Sequence, residues 1–194
     1  MNFQQLMTEA RTCRRFEARE LESGTLRWLL DCARVMPSAA NAQVLRYLTV
    51  QAPQKRAEVF AALGWAGYLK TWHPDENEQP TGYIILLAPA SDDGKIPTDS
   101  CIDLGIAGLT IQLAAWTKGV GACMFRTFNP KKIAMAIDIP QGYQIVLVMA
   151  FGYPAEVRRI VPVAADGSIR YYRDDNNVHF VPKRGLNDVL LGEF

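Results

Sequence analysis

Two continuous apolar runs dominate the pattern of hydrophobic and polar positions along the chain. Residues 83–89 read YIILLAP, residues 143–154 read YQIVLVMAFGYP, and glycine or proline borders both runs. Such β-branched and aliphatic runs are typical of strands buried on both faces. We therefore predict two core strands here, and two shorter strands over residues 46–52 and 122–128.

Residues 23–36 carry apolar side chains at helical spacing and predict an amphipathic helix. Ser23 is the expected N-cap, and Pro37 should stop the helix. Asn129 and Pro130 suit the N-cap and the first position of another helix. Shorter helices are also expected over residues 2–9 and 54–63.

The longest apolar segment covers residues 101–116, with Asp103, Thr110 and Gln112 as its only interruptions. We expect Thr98 or Asp99 to cap it and Gly119 to follow its end. At this length the segment is too short for a membrane span, so we interpret it as a buried core helix and expect no membrane partner.

The spacing of these strands and helices is irregular and shows no βαβ rhythm, which favours the α+β class over a doubly wound sheet. The tail, residues 168–191, predicts a hairpin that turns at residues 175–177, followed by a short helix. No linker divides the chain, so we expect a single domain over residues 1–194.

Composition and charge exclude several classes of protein. The chain has 194 residues, 49% of them hydrophobic, and a formal net charge of +1. A near-neutral chain argues against a nucleic-acid partner, since such binders carry a basic excess. The first residues lack a secretory apolar core and the four cysteines are scattered, so a cytoplasmic location with reduced thiols is expected.

Several common catalytic motifs are absent from the sequence. It contains no G-x-G-x-x-G, no G-x-x-x-x-G-K-[ST] and no G-x-S-x-G. Its two histidines, His73 and His179, lie far apart, which excludes a histidine-rich metal site. The acidic run at residues 75–78 is more typical of a solvated loop than of a cation site, so no metal is expected.

Positive charge is concentrated near the N-terminus, where "ARTCRRFEARE" places four arginines in nine residues. Arg11 and Arg14 flank Thr12, and arginine forks with a hydroxyl can bind the oxygens of a phosphate monoester. A solvated basic face is the alternative interpretation. Cys13 lies among these arginines, which could lower its pKa, or it could be an ordinary thiol.

Two further stretches offer polar groups that could bind a ligand. Ser38, Asn41 and Gln43 follow the helix over residues 23–36 and suit hydrogen bonding to a planar heterocycle, although they are also ordinary turn residues. Lys183 and Arg184 precede the terminal helix and, taken alone, are an ordinary surface pair.

Taken together and in order, these motifs resemble the nitroreductase family of flavoproteins. R-[ST]-x-R-x-F at residues 11–16 is followed by P-S-x-x-N-x-Q at residues 37–43 and by a long apolar helix that ends in G-x-G. The stretches IPQGYQIVLVMAFGYPAE and VPKRGLNDVL resemble the later core strand and the closing basic element. The resemblance implies the nitroreductase fold, with a central, mostly antiparallel sheet between helices. Residues 64–87 resemble a subgroup whose substrate is unassigned.

The resemblance also implies a homodimer that binds FMN at the subunit interface. Arg11, Thr12 and Arg14 would hold the phosphate, joined by Lys183 or Arg184. The resemblance places Pro37, Ser38 and Asn41 of the partner subunit near the isoalloxazine. It places Arg126 and Thr127 where backbone amides of the family meet the flavin ring.

The reaction implied is a ping-pong transfer from NAD(P)H through the flavin to a nitroaromatic, a quinone or a similar small-molecule acceptor. A flavin-binding sensor without turnover and a flavin-fragmenting enzyme are the alternatives. Three departures bear on affinity and access: Ala10 replaces a further arginine of many members, Val44 and Leu45 replace Pro-Trp, and Arg126 replaces a small residue.

Overall fold

The main sheet of the computed structural model has four strands, all paired antiparallel. The structure describes residues 1–68, 72–91 and 94–194. The strands lie in the order β1-β2-β4-β3, with a register shift between Leu86 and Leu87 of β2 where it pairs with β4. Their bounds are Arg46–Val50 for β1, Gly82–Pro89 for β2, Gly121–Phe125 for β3 and Tyr143–Gly152 for β4.

The two central strands, β2 and β4, are buried on both faces, as their continuous apolar runs predict. Ile84 and Leu86 of β2 point into one core cluster, whereas Tyr83, Ile85 and Leu87 point into the other. This alternation follows from the period of two along a strand. The sheet therefore separates two hydrophobic cores, and the α+β class with a mostly antiparallel sheet is confirmed.

The long apolar segment forms α4, Thr98–Thr117, and its buried residues belong to the first core cluster. The helix starts after Pro97, so Thr98 and Asp99 lie in the first turn and the predicted cap there is wrong. Gly119 adopts φ +69°, the left-handed conformation that ends helices. At 20 residues α4 is long and apolar enough to cross a membrane, contrary to the length argument above, but its packing is that of a core helix.

The remaining helices have identifiable start signals. Asn2 and Gln5 form a capping box at the first helix, and Asn129 Oδ1 accepts from Lys132 N at 3.1 Å before Pro130. The second helix begins after Gly24, whose φ of +81° turns the chain, so Ser23 lies outside the helix and is not its cap. The bounds are Phe3–Glu9 for α1, Thr25–Ala33 for α2, Pro53–Phe60 for α3, Pro130–Ala136 for α5 and Leu186–Val189 for α6.

A second sheet follows the main one in the chain. Its strands are β5 (Arg158–Pro162), β6 (Tyr172–Arg173) and β7 (His179–Lys183). β6 and β7 form the predicted antiparallel hairpin, whereas β5 pairs parallel to β7 and was not predicted. β5 reads RRIVP, half-exposed and charged, so its sequence lacks the apolar run that marks a core strand. Residues 69–71 of the predicted loop at 64–82 lie outside the described residues.

The arginine segment at residues 10–17 runs between the two sheets. Thr12 makes a parallel bridge to Ala122 of β3, and Ala155 N donates to Arg15 O at 2.9 Å. The approach is close: a Cβ on Gly121 would stand 2.8 Å from Cys13 Cβ, too near for any side chain. Glycine at this G-x-G turn therefore lets the segment lie along the edge of β3.

Candidate anion-binding site

The structure brings four of the predicted phosphate ligands to one cavity of about 220 Å³. Arg11, Thr12 and Arg14 come from the segment beside β3, and Lys183 comes from the end of β7. The other lining residues are Gln112 of α4, Tyr171, His179 and Val181. Elements distant in sequence thus converge on a polar cavity whose only charged lining residues, among those that the structure describes, are the cations Arg11, Arg14 and Lys183.

Positive charge in this cavity is not balanced by its own lining. The Nε atom of half-buried Arg11 is buried without a hydrogen-bond partner. Burial and the nearby Arg158 guanidinium both lower the pKa of Arg11. Arg158 Nη1 itself donates to the Arg11 carbonyl at 3.4 Å. Because two guanidinium groups repel each other and one of them has an N–H without a partner, an anion should bind favourably here.

The carboxylate of Glu156 lies nearby but is already engaged. Its side chain is only 1% exposed, and its Oε1 accepts from the backbone N–H of Arg14 at 2.6 Å. Its Oε2 lies 2.6 Å from Arg173 Nη2, as an ion pair without hydrogen-bond alignment. Glu156 therefore ties the arginine segment to β6, and Arg11 and Lys183 remain available to a ligand.

The arginines of the N-terminal cluster have different roles. Arg14 donates from Nε to the carbonyl of Trp65 at 3.1 Å, and its guanidinium lies 4.9 Å from the ring centre of Tyr171. Arg15 instead forms a two-pronged ion pair with Glu78, both contacts at 2.6 Å, which raises the pKa of Arg15. Arg15 is therefore structural, whereas Arg14 lines the cavity.

Sequence reasoning missed His179 and Tyr171. His179 is 1% exposed, and its ring lies 5.2 Å from that of Tyr171. Burial is the main cause that lowers the pKa of His179 to about 4; the carboxylate of Glu156 acts against it and nearby arginines act with it. The imidazole is therefore neutral at pH 7. The alternation of β7 places His179 and Val181 on the same face as Lys183, and this period of two could have identified them.

The loop with Pro37, Ser38 and Asn41 does not line the cationic cavity. Ser38 lines a separate cavity of about 180 Å³, together with Gln43 and the buried Asp103 of α4. Asp103 Oδ1 accepts from Ala39 N at 3.0 Å and holds the loop against the helix. Asp103 and Gln112 are separated by nine residues of α4, so this loop lies roughly 14 Å along the axis from the cationic cavity.

The loop also has an unusual backbone. Asn41 adopts φ +53° and Gln43 φ +48°, where side chains are seldom found. Their polar groups satisfy one another, since Ser38 Oγ accepts from Gln43 N and Asn41 Oδ1 accepts from Gln43 Nε2, both at 3.1 Å. The strained turn and its anchor at Asp103 give the loop a defined shape within the chain.

Arg126 and Thr127 follow β3 and are exposed. Thr127 O accepts from Gly64 N at 2.9 Å, and Thr127 borders a third cavity of about 530 Å³. Because Thr12 pairs with Ala122 near the start of β3 and Thr127 follows its end, Thr127 lies toward the opposite end of the strand from Thr12. Arg184, unlike Lys183, does not line the cationic cavity.

Two buried cysteines and the arrangement of metal-ligating side chains bear on other kinds of chemistry. Cys13 and Cys123 are buried, and burial raises the pKa of both thiols, to about 12 for Cys123. The alternative of a lowered pKa at Cys13 is therefore wrong. Within residues 1–68, 72–91 and 94–194, no three His, Cys, Asp or Glu side chains converge on a metal position.

The donor set of the cationic cavity fits a phosphate monoester. Guanidinium groups at Arg11 and Arg14, the Lys183 ammonium and the Thr12 hydroxyl all line it. Such groups match the charge and the acceptor oxygens of a terminal phosphate. The unused Nε of Arg11 shows that this donor set is not saturated by the protein itself.

A family model described as the nitroreductase family matches residues 7–153. The chain therefore belongs to the nitroreductase family. The match includes the arginine segment, the loop with Ser38 and the whole main sheet, and it ends before the second sheet begins. Membership supports a general flavin oxidoreductase.

Individual relatives are distant. The chain is similar to a 5,6-dimethylbenzimidazole synthase of Rhodospirillum rubrum, 23% identical over 174 residues, covering 75% of this chain and 79% of that protein. It is 26% identical over 181 residues to an NADH dehydrogenase of Thermus thermophilus, covering 75% and 83%. The solved structure of an FMN-dependent nitroreductase from Clostridium difficile superposes with a TM-score of 0.60 at 22% identity, covering 77% and 86%.

Proposed function

We propose that the protein is an FMN-dependent oxidoreductase that transfers reducing equivalents from NAD(P)H to a nitroaromatic, a quinone or a similar small acceptor. The observation that carries this proposal is the convergence of Arg11, Thr12, Arg14 and Lys183 on one cavity with unbalanced positive charge. These are the residues at which the family motif would hold a flavin phosphate.

The chain's own residues would bind and orient the cofactor. Arg11, Arg14 and Lys183 would neutralise the phosphate, and the Thr12 hydroxyl would donate a further hydrogen bond. When bound, FMN would supply the hydride chemistry between nicotinamide and acceptor. The FMN-dependent enzyme among the similar structures and the NADH dehydrogenase among the relatives support this cofactor pair.

We further propose that two copies of the chain form a homodimer and share each site. Within one chain, the loop at residues 37–41 lies far from the cationic cavity, so a partner subunit would have to contribute it. The outward side of α4 supports an interface: Ile102 is 55% and Leu109 40% exposed. From Leu104 to Thr117 the helix has no charged residue. Exposed apolar stripes of this kind mark interaction surfaces.

A small-molecule acceptor and a cytoplasmic location complete the proposal. The near-neutral charge of the chain supports a site for a cofactor rather than for nucleic acid. The cationic groups lie in a cavity of about 220 Å³ and not in an open groove, which suits a phosphate group and not a polymer backbone.

The visible spectrum of the purified protein tests the proposed activity. We expect a flavin spectrum that bleaches when NADH or NADPH is added without oxygen and returns when a quinone is added. A flavin that stays oxidised would favour a binding protein or sensor. A protein that cannot be reconstituted with FMN would contradict the proposal.

The neighbours Lys183 and Arg184 provide a matched pair of variants for the cofactor site. Lys183→Ala should weaken FMN binding on the order of tenfold, as expected for losing a charged phosphate contact. Arg184→Ala, which removes a similar charge one residue away but outside the cavity, should change it little. Equal effects would mean that only the overall charge matters.

A flavin-fragmenting enzyme is the second candidate, because a 5,6-dimethylbenzimidazole synthase is among the relatives. Incubation of the reduced protein with oxygen distinguishes the two. Recovery of intact FMN supports the oxidoreductase, whereas stoichiometric loss of flavin with release of a benzimidazole supports the fragmenting activity.

A further inference from the structure

The second sheet closes one side of the cationic cavity. His179, Val181 and Lys183 project from one face of β7, and Tyr171 precedes β6. These residues lie beyond the segment that the family model matches, which ends at residue 153. This wall of the cavity therefore lies outside the segment that the family model matches.

His179 is the unusual member of this wall. It is 1% exposed, it lines the cavity, and its Nδ1 is buried without a hydrogen-bond partner. Its backbone N–H donates to the Val157 carbonyl at 2.8 Å, which fixes the residue at the start of β7. Buried polar atoms normally find a partner, so an unpartnered imidazole nitrogen beside a cationic cavity indicates a ligand.

We propose that His179 is a phosphate ligand whose imidazole donates a hydrogen bond to the terminal phosphate monoester of the bound flavin. The inference rests on the proposed FMN site and adds a donor from the second sheet to Arg11, Arg14 and Lys183. A neutral imidazole has one N–H to donate, and its tautomer can adjust to the ligand.

His179 would supply a side-chain donor that Ala10 of the N-terminal segment lacks. Ala10 stands where a further arginine would be expected, and it is 1% exposed. Its carbonyl accepts from the Nε2 of Gln112, so its surroundings are filled by the protein. His179 would approach the anion from the second sheet and supply a hydrogen bond that the segment at residues 10–17 lacks.

The charges around His179 make its protonation depend on the anion. The charged groups that act on it are Glu156 before β5, Arg158 of β5, Arg173 of β6 and Arg14. The aromatic ring of Tyr171 packs against it. The arginines disfavour the imidazolium, and a bound dianion would offset them. FMN binding should therefore raise the pKa of His179 and increase proton uptake below neutral pH.

Comparison of FMN binding with riboflavin binding tests the inference on the whole 194-residue chain. For His179→Phe we expect the FMN dissociation constant to rise about tenfold, as for loss of one hydrogen bond to a charged group, with riboflavin binding unchanged. His179→Gln, whose amide can still donate, should recover part of the loss. Circular dichroism and riboflavin binding show whether each variant is folded.

Calorimetry in buffers of different ionisation enthalpy gives a second readout. At about pH 5.5 the wild type should take up more protons on binding FMN than His179→Gln does, because only the wild type has an imidazole to protonate. A pH titration of the phosphorus NMR signal of bound FMN should show an inflection in the wild type that is absent from His179→Gln. This result would support the same contact without the use of an apolar replacement.

The possible outcomes separate the two proposals. The wild type could bind FMN while both variants keep its preference for FMN over riboflavin and its proton uptake on binding. In that case the proposed role of His179 is overturned, but the proposed FMN cofactor is not. If FMN and riboflavin binding weaken equally, His179 supports the fold and does not contact the phosphate. If the wild type binds no FMN, the proposed function is overturned and this inference with it.

Discussion

The main sheet and the second sheet are built in different ways. β2 and β4 are buried on both faces and rely on continuous aliphatic packing. The second sheet is half-exposed, and its arginines are held by charge and aromatic contacts: Arg158 lies over Trp116, and Arg173 over Trp72. The comparison teaches that the apolar sheet provides the scaffold, while the polar sheet encloses the cationic cavity.

A deletion in the core of the main sheet should have the largest effect. Phe151→Ala removes a fully buried ring from β4, and we expect unfolding to become easier by about 3–5 kcal/mol. Urea denaturation followed by circular dichroism measures this. A loss below about 1 kcal/mol would contradict the view that the apolar sheet carries the stability.

Removing the buried carboxylate should loosen the second sheet. Glu156→Gln leaves the guanidinium of Arg173 without its ion-pair partner, and breaking a buried ion pair costs about 3 kcal/mol. Limited proteolysis should then cut first within residues 158–183. Glu22→Gln, which breaks an exposed ion pair with Arg19, is the control and should leave both readouts unchanged.

Two adjacent arginines distinguish binding from packing. Arg14→Ala should lower FMN affinity by ten- to a hundredfold, on the order expected for losing a charge-assisted hydrogen bond. Arg15→Ala should instead lower stability through loss of the Glu78 ion pair and leave FMN affinity unchanged. Isothermal titration and urea denaturation separate the two effects. An unchanged dissociation constant for Arg14→Ala would reject its phosphate role.

The last expected effect concerns the pH dependence of stability. The folded-state pKa of His179, about 4, lies below its ordinary value of 6.5. Between pH 4 and pH 6.5 the unfolded chain therefore binds more protons than the folded protein, and stability should fall as the pH drops from 6.5 toward 4. His179→Gln should flatten this slope, as should bound FMN. Equal slopes in denaturation curves of wild type and variant would contradict the lowered pKa.

Local sequence signals predicted much of the scaffold. The runs of β2 and β4, the Asn129 cap and the Gly119 end are set by neighbouring residues, and the structure confirms them. β5 was missed because a short charged strand is recognisable only from its partner β7. Ser23 failed as a cap because the left-handed turn at Gly24 displaces the start of the helix.

The sequence predicted those residues of the site that belong to a recognisable motif. Arg11, Thr12, Arg14 and Lys183 meet as their order along the chain suggested. Glu156, Asp103 and His179 were not singled out, because their roles depend on burial and on partners far away in the sequence. Single acidic residues or histidines carry no local signal of this kind. The cavity is defined by tertiary contacts, which no spacing rule specifies.

The path of the chain has a consequence for how the cationic cavity is completed. Arg11 and Arg14 precede every strand of the main sheet in the sequence, whereas His179 and Lys183 follow all of them. A nascent chain that has reached Gly152 already contains every strand of the main sheet but only part of the cavity wall. The cationic cavity is therefore complete only once β7 has been made, and an anion bound there would hold the arginine segment and β7 together.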